Sequence, residues 1–95
     1  MNFYKTKRWK ATREKVLRRD GYECKECRRY GRNRIAACVH HVNPLLEHPE
    51  WRIQMWNLIS LCNSCHDKMH DRENDVLTEL GEYWRNKVTP PQFKK

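Results

Sequence analysis

Residues 38–70, CVHHVNPLLEHPEWRIQMWNLISLCNSCHDKMH, hold all five histidines of the chain and three of its five cysteines. His40 and His41 end a run of β-branched and small apolar residues, Ile35 to Val42, that reads as a strand. Cys62 and Cys65 precede His66 and His70, which stand four positions apart on a helix expected from Asn63 to about Arg72. On such a helix Cys65 and His66 point about 100° apart, so His66 is turned away from any ion that Cys65 holds. It must serve a second site. His66 and His70 share one helix face, and that face can look toward the end of the strand that carries His40 and His41.

Working outward, Cys24-Lys-Glu-Cys27 repeats the spacing of Cys62-Asn-Ser-Cys65. Four thiolates in two knuckles suit tetrahedral zinc and close its coordination completely, which makes the site structural. Cys38 is left over and reads as a small core residue on the strand. No run of 18 apolar residues and no charged-then-apolar leader stands in the sequence, so a reducing, cytoplasmic setting is expected and no membrane. There, closely spaced cysteines mean metal rather than disulfides.

The 95 residues, 38% apolar and 34% charged, give room for one small domain with a thin core around a metal. The net charge of +8 is placed unevenly, because residues 1–34 carry thirteen Lys or Arg against four Asp or Glu and the remainder seven against eight. Such a patch is the footprint of a polyanion, here a nucleic acid, against the plainer reading of a solvated surface that only aids solubility. Its candidate phosphate contacts are Lys5, Lys7 and Arg8 in an arm over residues 1–8, and Arg28, Arg29, Arg32 and Arg34 in the basic turn RRYGRNR.

Between these motifs, Trp9 to Arg19 is expected as a helix with Trp9, Val16 and Leu17 inward, closed by Asp20-Gly21. Asn43 to Trp56 is a long connection whose Leu45, Leu46, Trp51, Ile53, Met55 and Trp56 argue that it packs down, and Ile59 to Leu61 returns as a second strand. His48 falls in that connection as an exposed histidine. From 75 to 88 the apolar period of Val76, Leu77, Leu80, Tyr83 and Trp84 predicts a C-terminal helix, capped by Asn74 or Asp75 and stopped by Pro90-Pro91 ahead of a frayed tail, QFKK.

His40-His41, Asn57 in WNLISLC, and CNSCHDKMH, with sixteen residues from His41 to Asn57 and nine more to His66, resemble the HNH endonucleases, in particular small stand-alone members with a four-cysteine zinc site. The resemblance implies an α+β fold around a ββα-metal motif, with flanking helices and the two zinc knuckles. It also implies hydrolysis of DNA phosphodiester bonds, with nicking versus double-strand cleavage left open. His40 and His66 would hold one divalent ion, Mg, Mn, Ni or Zn, with His70 joining the ion or meeting the phosphate. His41 would be the general base and Asn57 the residue that orients it by accepting a hydrogen bond from its second nitrogen. Many relatives have Asp at the His40 position, and imidazole there widens the choice of metal.

Two other readings use the same residues. A zinc-stabilised DNA-binding module without catalysis needs only the four paired cysteines and the basic arm, and leaves His41 and Asn57 unexplained. A toxin-like or packaging nuclease would be a monomer whose task is set by a protein partner such as a phage packaging protein.

Overall fold

The computed structural model describes residues 2–71, 73–74 and 76–88. The chain is α+β, and its centre is an antiparallel pair of short strands, β1 (Cys38–His41) and β2 (Leu58–Leu61). The register sets Cys38 opposite Leu61, Val39 opposite Ser60, His40 opposite Ile59 and His41 opposite Leu58. Side chains alternate across such a ribbon, so His40 and His41, adjacent in sequence, face opposite sides. Each side is covered by its own core. On one lie Trp9, Val16, Leu17, Ala36, Val39 and Leu58; on the other lie Val42, Ile59, Leu61, Met69 and Trp84 together with Cys24, Cys27, Cys62 and Cys65.

The first core is roofed by helix α1 (Lys7–Arg19), which begins two residues earlier than its apolar pattern predicts because Thr6 caps it, the hydroxyl accepting from Trp9 N–H. The preceding residues are not a free arm. Phe3–Lys5 forms one 3₁₀ turn, held at its start by the Asn2 side chain accepting from Tyr4 N–H at 2.8 Å. At its other end α1 covers the free edge of β2, where Asp20 accepts from Ser60 N–H at 3.1 Å and Arg19 donates to the carbonyls of Leu58 and Met55 at 2.6 and 2.7 Å. Two side chains thus occupy ladder positions that an exposed edge would leave open to another strand.

The first strand is shorter than the run Ile35–Val42 suggested. Ile35 is 79% exposed and makes only an isolated bridge to Glu23. Helix α2 (Lys25–Arg29) carries the first knuckle and α3 (Asn63–Asp67) the second. Helix α3 ends five residues short of the expected boundary, capped at Lys68, and His70–Asp71 turns into a two-residue strand, β3, paired with β4 (Val76–Leu77). The C-terminal helix, α4 (Glu79–Lys87), therefore starts after β4, with Thr78 as its cap in place of Asn74 or Asp75. Its approach is close: a Cβ on Gly81 would lie 2.4 Å from the Met69 carbonyl, so this helix position has no room for alanine. Arg72, Asp75, the Pro90-Pro91 stop and the QFKK tail lie outside the described residues.

Candidate functional site

Both knuckles lie at N-termini of short helices, where Cys24 and Cys62 are the capping residues. The four sulfurs lie within 4.8 Å of one another, Cys27 Sγ standing 3.9 Å from Cys62 Sγ and 3.6 Å from Cys65 Sγ. Thiolates around a tetrahedral zinc at about 2.3 Å are about 3.8 Å apart, so the cluster has the size of that ion's coordination shell. All four are buried, and burial pushes the Cys27 and Cys65 thiols up. As thiolates gathered away from water they would need a cation among them.

The second cluster is His40, His66 and His70, whose ligand nitrogens also lie within 4.8 Å of one another. Three elements bring them together: the end of β1, the middle of α3 and the start of β3. His66 and His70 are not on one helix face, as their spacing predicted; the chain leaves α3 between them and the β3–β4 pairing, His70 opposite Leu77, returns the second ring to the first. The ring centroids are 5.2 Å apart for His40 and His66, and 5.1 Å for His40 and His70. His40 is 1% exposed, and its Nε2 has no hydrogen-bond partner among the described residues. An orphaned buried nitrogen costs about 1–3 kcal/mol, a cost that a ligated cation removes. Burial, reinforced by the charges of His66 and His70, drives the His40 pKa down to about 2, which keeps the ring in its neutral, ligating form. Donor type, burial and the orphaned nitrogen together fit a divalent ion.

His41 faces the other way. Its ring stacks on Trp9, with centroids 5.1 Å apart and planes 20° from parallel, and Phe3 and Tyr4 edge onto it from the 3₁₀ turn. Its Nε2 donates to the Arg52 carbonyl at 2.9 Å. A carbonyl only accepts, so in the neutral ring Nδ1 carries the lone pair. Burial pushes the His41 pKa below its ordinary value, while the Arg52 bond pulls part of the way back.

Asn57 is not the acceptor for that ring nitrogen. Its Oδ1 accepts from the backbone N–H and the side-chain amide of Asn43 at 3.0 and 2.9 Å, and its Nδ2 donates to the carbonyls of Trp51 and Asn43 at 3.2 and 3.3 Å. Asn57 thereby ties down both ends of the segment 43–51, next to the carbonyl that holds His41. Asn43 and Arg52 were not singled out in the sequence. Asn43, two residues beyond His41 and just past the end of the strand, was the findable one; a backbone carbonyl leaves no trace in residue identity. His48, in the same segment, stacks on Trp51 with centroids 3.9 Å apart.

A cleft of about 180 Å³ is lined by His40, His41, His66 and His70 with Tyr4, Val39, Pro44 and Leu45. Lys5, Lys7 and Arg8 are exposed and follow directly on Tyr4 in the chain. Arg28, Arg32 and Arg34 are exposed around the first knuckle, Arg28 lying 3.5 Å from Glu23. Arg29 is different: its guanidinium donates twice to the buried Glu26 at 2.9 Å and lies over the Tyr30 and Tyr83 rings at 4.6 and 4.4 Å. Glu26 also accepts from Trp84 Nε1 at 2.8 Å, so this group joins α2 to α4.

Against known proteins, residues 24–72 match the sequence model of the HNH endonuclease family, an interval that contains both clusters, His41 and Asn57. The fold is similar to the crystal structure of an HNH endonuclease from the deep-sea thermophilic bacteriophage GVE2 with manganese ion, at 38% identity over 76% of this chain and 74% of that chain, with a TM-score of 0.67. No curated protein matches. Among the described residues no helix is long and apolar enough to cross a membrane. A family match over half of the chain, the agreement of fold and the two clusters give one conclusion: the chain belongs to the HNH endonucleases and is a phosphodiester hydrolase.

Proposed function

We propose that this protein is a metal-dependent DNA endonuclease in which His41 is the general base and His40, His66 and His70 hold one divalent ion. The observation that carries it is that the ligand nitrogens of His40, His66 and His70 lie within 4.8 Å of one another on a cleft that the separately anchored His41 also lines. When bound, such an ion supplies Lewis-acid polarisation of the phosphoryl group and stabilises the charge on the leaving oxygen. His41, fixed through Nε2, takes a proton from water at Nδ1. Asn57 positions it indirectly, through the segment that ends at Trp51 and Arg52. Manganese in the bacteriophage relative supports a catalytic divalent ion here.

The four-cysteine cluster is read as a structural zinc site, and Lys5, Lys7, Arg8, Arg28, Arg32 and Arg34 as contacts to the DNA backbone. Arg29 belongs to the scaffold through Glu26. One such site cuts one strand, so nicking comes first and a double-strand break needs a second event. Incubation of supercoiled plasmid with and without Mn²⁺ or Mg²⁺ tests the proposal. Nicked circles that appear only with metal are the expected result; binding without cleavage under every metal leaves the zinc-stabilised binding module as the better account.

A further inference from the structure

We infer that Tyr4, in the 3₁₀ turn ahead of the first helix, is a substrate-contacting residue of the active site whose hydroxyl donates a hydrogen bond to a non-bridging oxygen of the scissile phosphate. The inference rests on the nuclease reading above and adds to it a residue outside the matched interval 24–72.

Three independent features place Tyr4. Its ring is held from two sides, edge-on to Trp9 with centroids 5.6 Å apart and planes at 84°, and edge-on to His41 at 6.3 Å and 72°. Its backbone is fixed as well, by the Asn2 side chain on its N–H, by the 3₁₀ turn, and by Thr6, whose hydroxyl donates to the Phe3 carbonyl and caps α1. A ring so placed is half in the core and half out: Tyr4 is 50% exposed, and it lines the same cleft as His40, His41, His66 and His70. The cleft opens at Tyr4, Pro44, Leu45 and His70 into a larger groove of about 730 Å³, so Tyr4 stands at the junction of metal site and groove.

The hydroxyl engages none of the described residues, which leaves its donor available to a ligand. Burial raises the Tyr4 phenol above its ordinary value, so it remains a neutral O–H rather than an anion that would repel a phosphodiester. Tyrosine hydroxyls are among the side-chain donors that meet phosphate oxygens in protein–DNA contacts. The next three cations in sequence, Lys5, Lys7 and Arg8, are all exposed and add positive charge close to Tyr4 along the chain. A packing role alone explains the ring but not a hydroxyl at the mouth of the cleft.

Tyr4→Phe separates the two roles, because it keeps the ring on Trp9 and His41 and removes only the donor. Two substrates are used with Mn²⁺: supercoiled plasmid and bis(p-nitrophenyl) phosphate, which has one phosphate and no flanking nucleotides. Expected for Tyr4→Phe is a fall in kcat of roughly 10- to 100-fold on both substrates, the size of one hydrogen bond to a charged group, with melting temperature and plasmid affinity unchanged. Tyr4→Ala should lose at least as much and melt lower. Wild-type turnover by Tyr4→Phe on either substrate overturns the inference, as does a loss that tracks a fall in melting temperature. If the wild-type protein cleaves neither substrate with any divalent metal, it is the nuclease reading that fails, a result distinct from active wild type with an equally active Tyr4→Phe.

Discussion

His41 stacks on Trp9, ring centroids 5.1 Å apart and planes 20° from parallel, while its neighbour His40 points to the opposite side of the same strand toward His66 and His70. Strand alternation thus divides the labour of the His-His pair. In the proposed site one ring, buried among like residues with an orphaned nitrogen, would take the cation; the other, fixed by an indole face and a backbone carbonyl, would hold one nitrogen ready for a proton.

The two single-alanine variants should therefore fail differently. His41→Ala should bind divalent metal normally yet lose about 10² to 10⁴ in turnover, the range of general-base catalysis. It should also melt lower, because the ring packs on Trp9. His40→Ala should lose both turnover and the bound ion. Calorimetric titration of Mn²⁺ beside plasmid nicking checks this, and full activity in His41→Ala would place the base elsewhere.

The pH profile should reflect the burial of His41. A base works when neutral, and desolvation favours the neutral imidazole, so the activity limb should rise from acid and level off below the usual histidine value of about 6.5. Rates measured at saturating Mn²⁺, with chemistry limiting, test the sign. A plateau reached only well above neutrality would mean that the base is held charged rather than neutral.

Asn57→Ala should act through the loop. The change leaves the buried Asn43 N–H without its acceptor and frees the Trp51 carbonyl, at about 1–3 kcal/mol for an unsatisfied buried group. Both stability and kcat should fall, with metal affinity near wild type. Asn57→Asp, which keeps an acceptor oxygen toward Asn43 but turns a second oxygen on the Trp51 and Asn43 carbonyls at a fully buried position, should lose at least as much as Asn57→Ala. If Asn57→Ala melts lower and still turns over normally, the placement of the Arg52 carbonyl is not important to catalysis.

The grouping of the paired cysteines, and of His40 with His66 and His70, was legible because the metal ligation proposed for them would restrict residue type and spacing more tightly than packing does. The strand–loop–strand–helix order was legible from the run of β-branched and small apolar residues at Ile35–Val42 and the apolar return after Asn57. The path from His66 to His70 was not, because four-residue spacing fits a helix whether or not the chain stays in it, and only the pairing of His70 with Leu77 ends α3 early. The same pairing takes Val76 and Leu77 out of the C-terminal helix despite their helical period. Arg29 was legible as a cation but not as a scaffold residue, since the buried Glu26 that holds it reads in sequence as one more exposed charge.

Backbone contacts should appear in the salt dependence of binding. Each phosphate contact contributes a slope of about 0.9 in log affinity against log salt, so Lys5→Gln, Lys7→Gln and Arg8→Gln together should flatten the line by roughly 2 to 3. Arg29→Gln should leave the slope unchanged and lower the melting temperature, because it strips a buried carboxylate of its partner. Fluorescence anisotropy with a random duplex over a salt series reads the first effect. A slope untouched by the triple change would remove the N-terminal turn from the DNA interface.

The two metal sites should separate under chelation. In the proposed arrangement the histidine site lies on a cleft and would leave its ion open positions, whereas the four sulfurs lie in the core with Val42, Ile59, Leu61, Met69 and Trp84 and would close a tetrahedral ion. A mild chelator should abolish nicking while the melting temperature falls little, and added Mn²⁺ should restore activity. Cys62→Ser should instead lower the melting temperature. Structural zinc carries about 10–16 kcal/mol of apparent binding free energy at neutral pH, most of it released only on folding, so weakening that site loosens the half of the molecule built on it. That half includes α3 with His66, the Met69–Thr78 contact and the β3–β4 pair with His70, so nicking in Cys62→Ser should be lost with the fold and not recovered by Mn²⁺. Zinc content by mass spectrometry under native conditions, thermal melting and nicking on the same samples decide it: a Cys62→Ser protein that melts like wild type without zinc would show that the four cysteines are a packed core and no metal site.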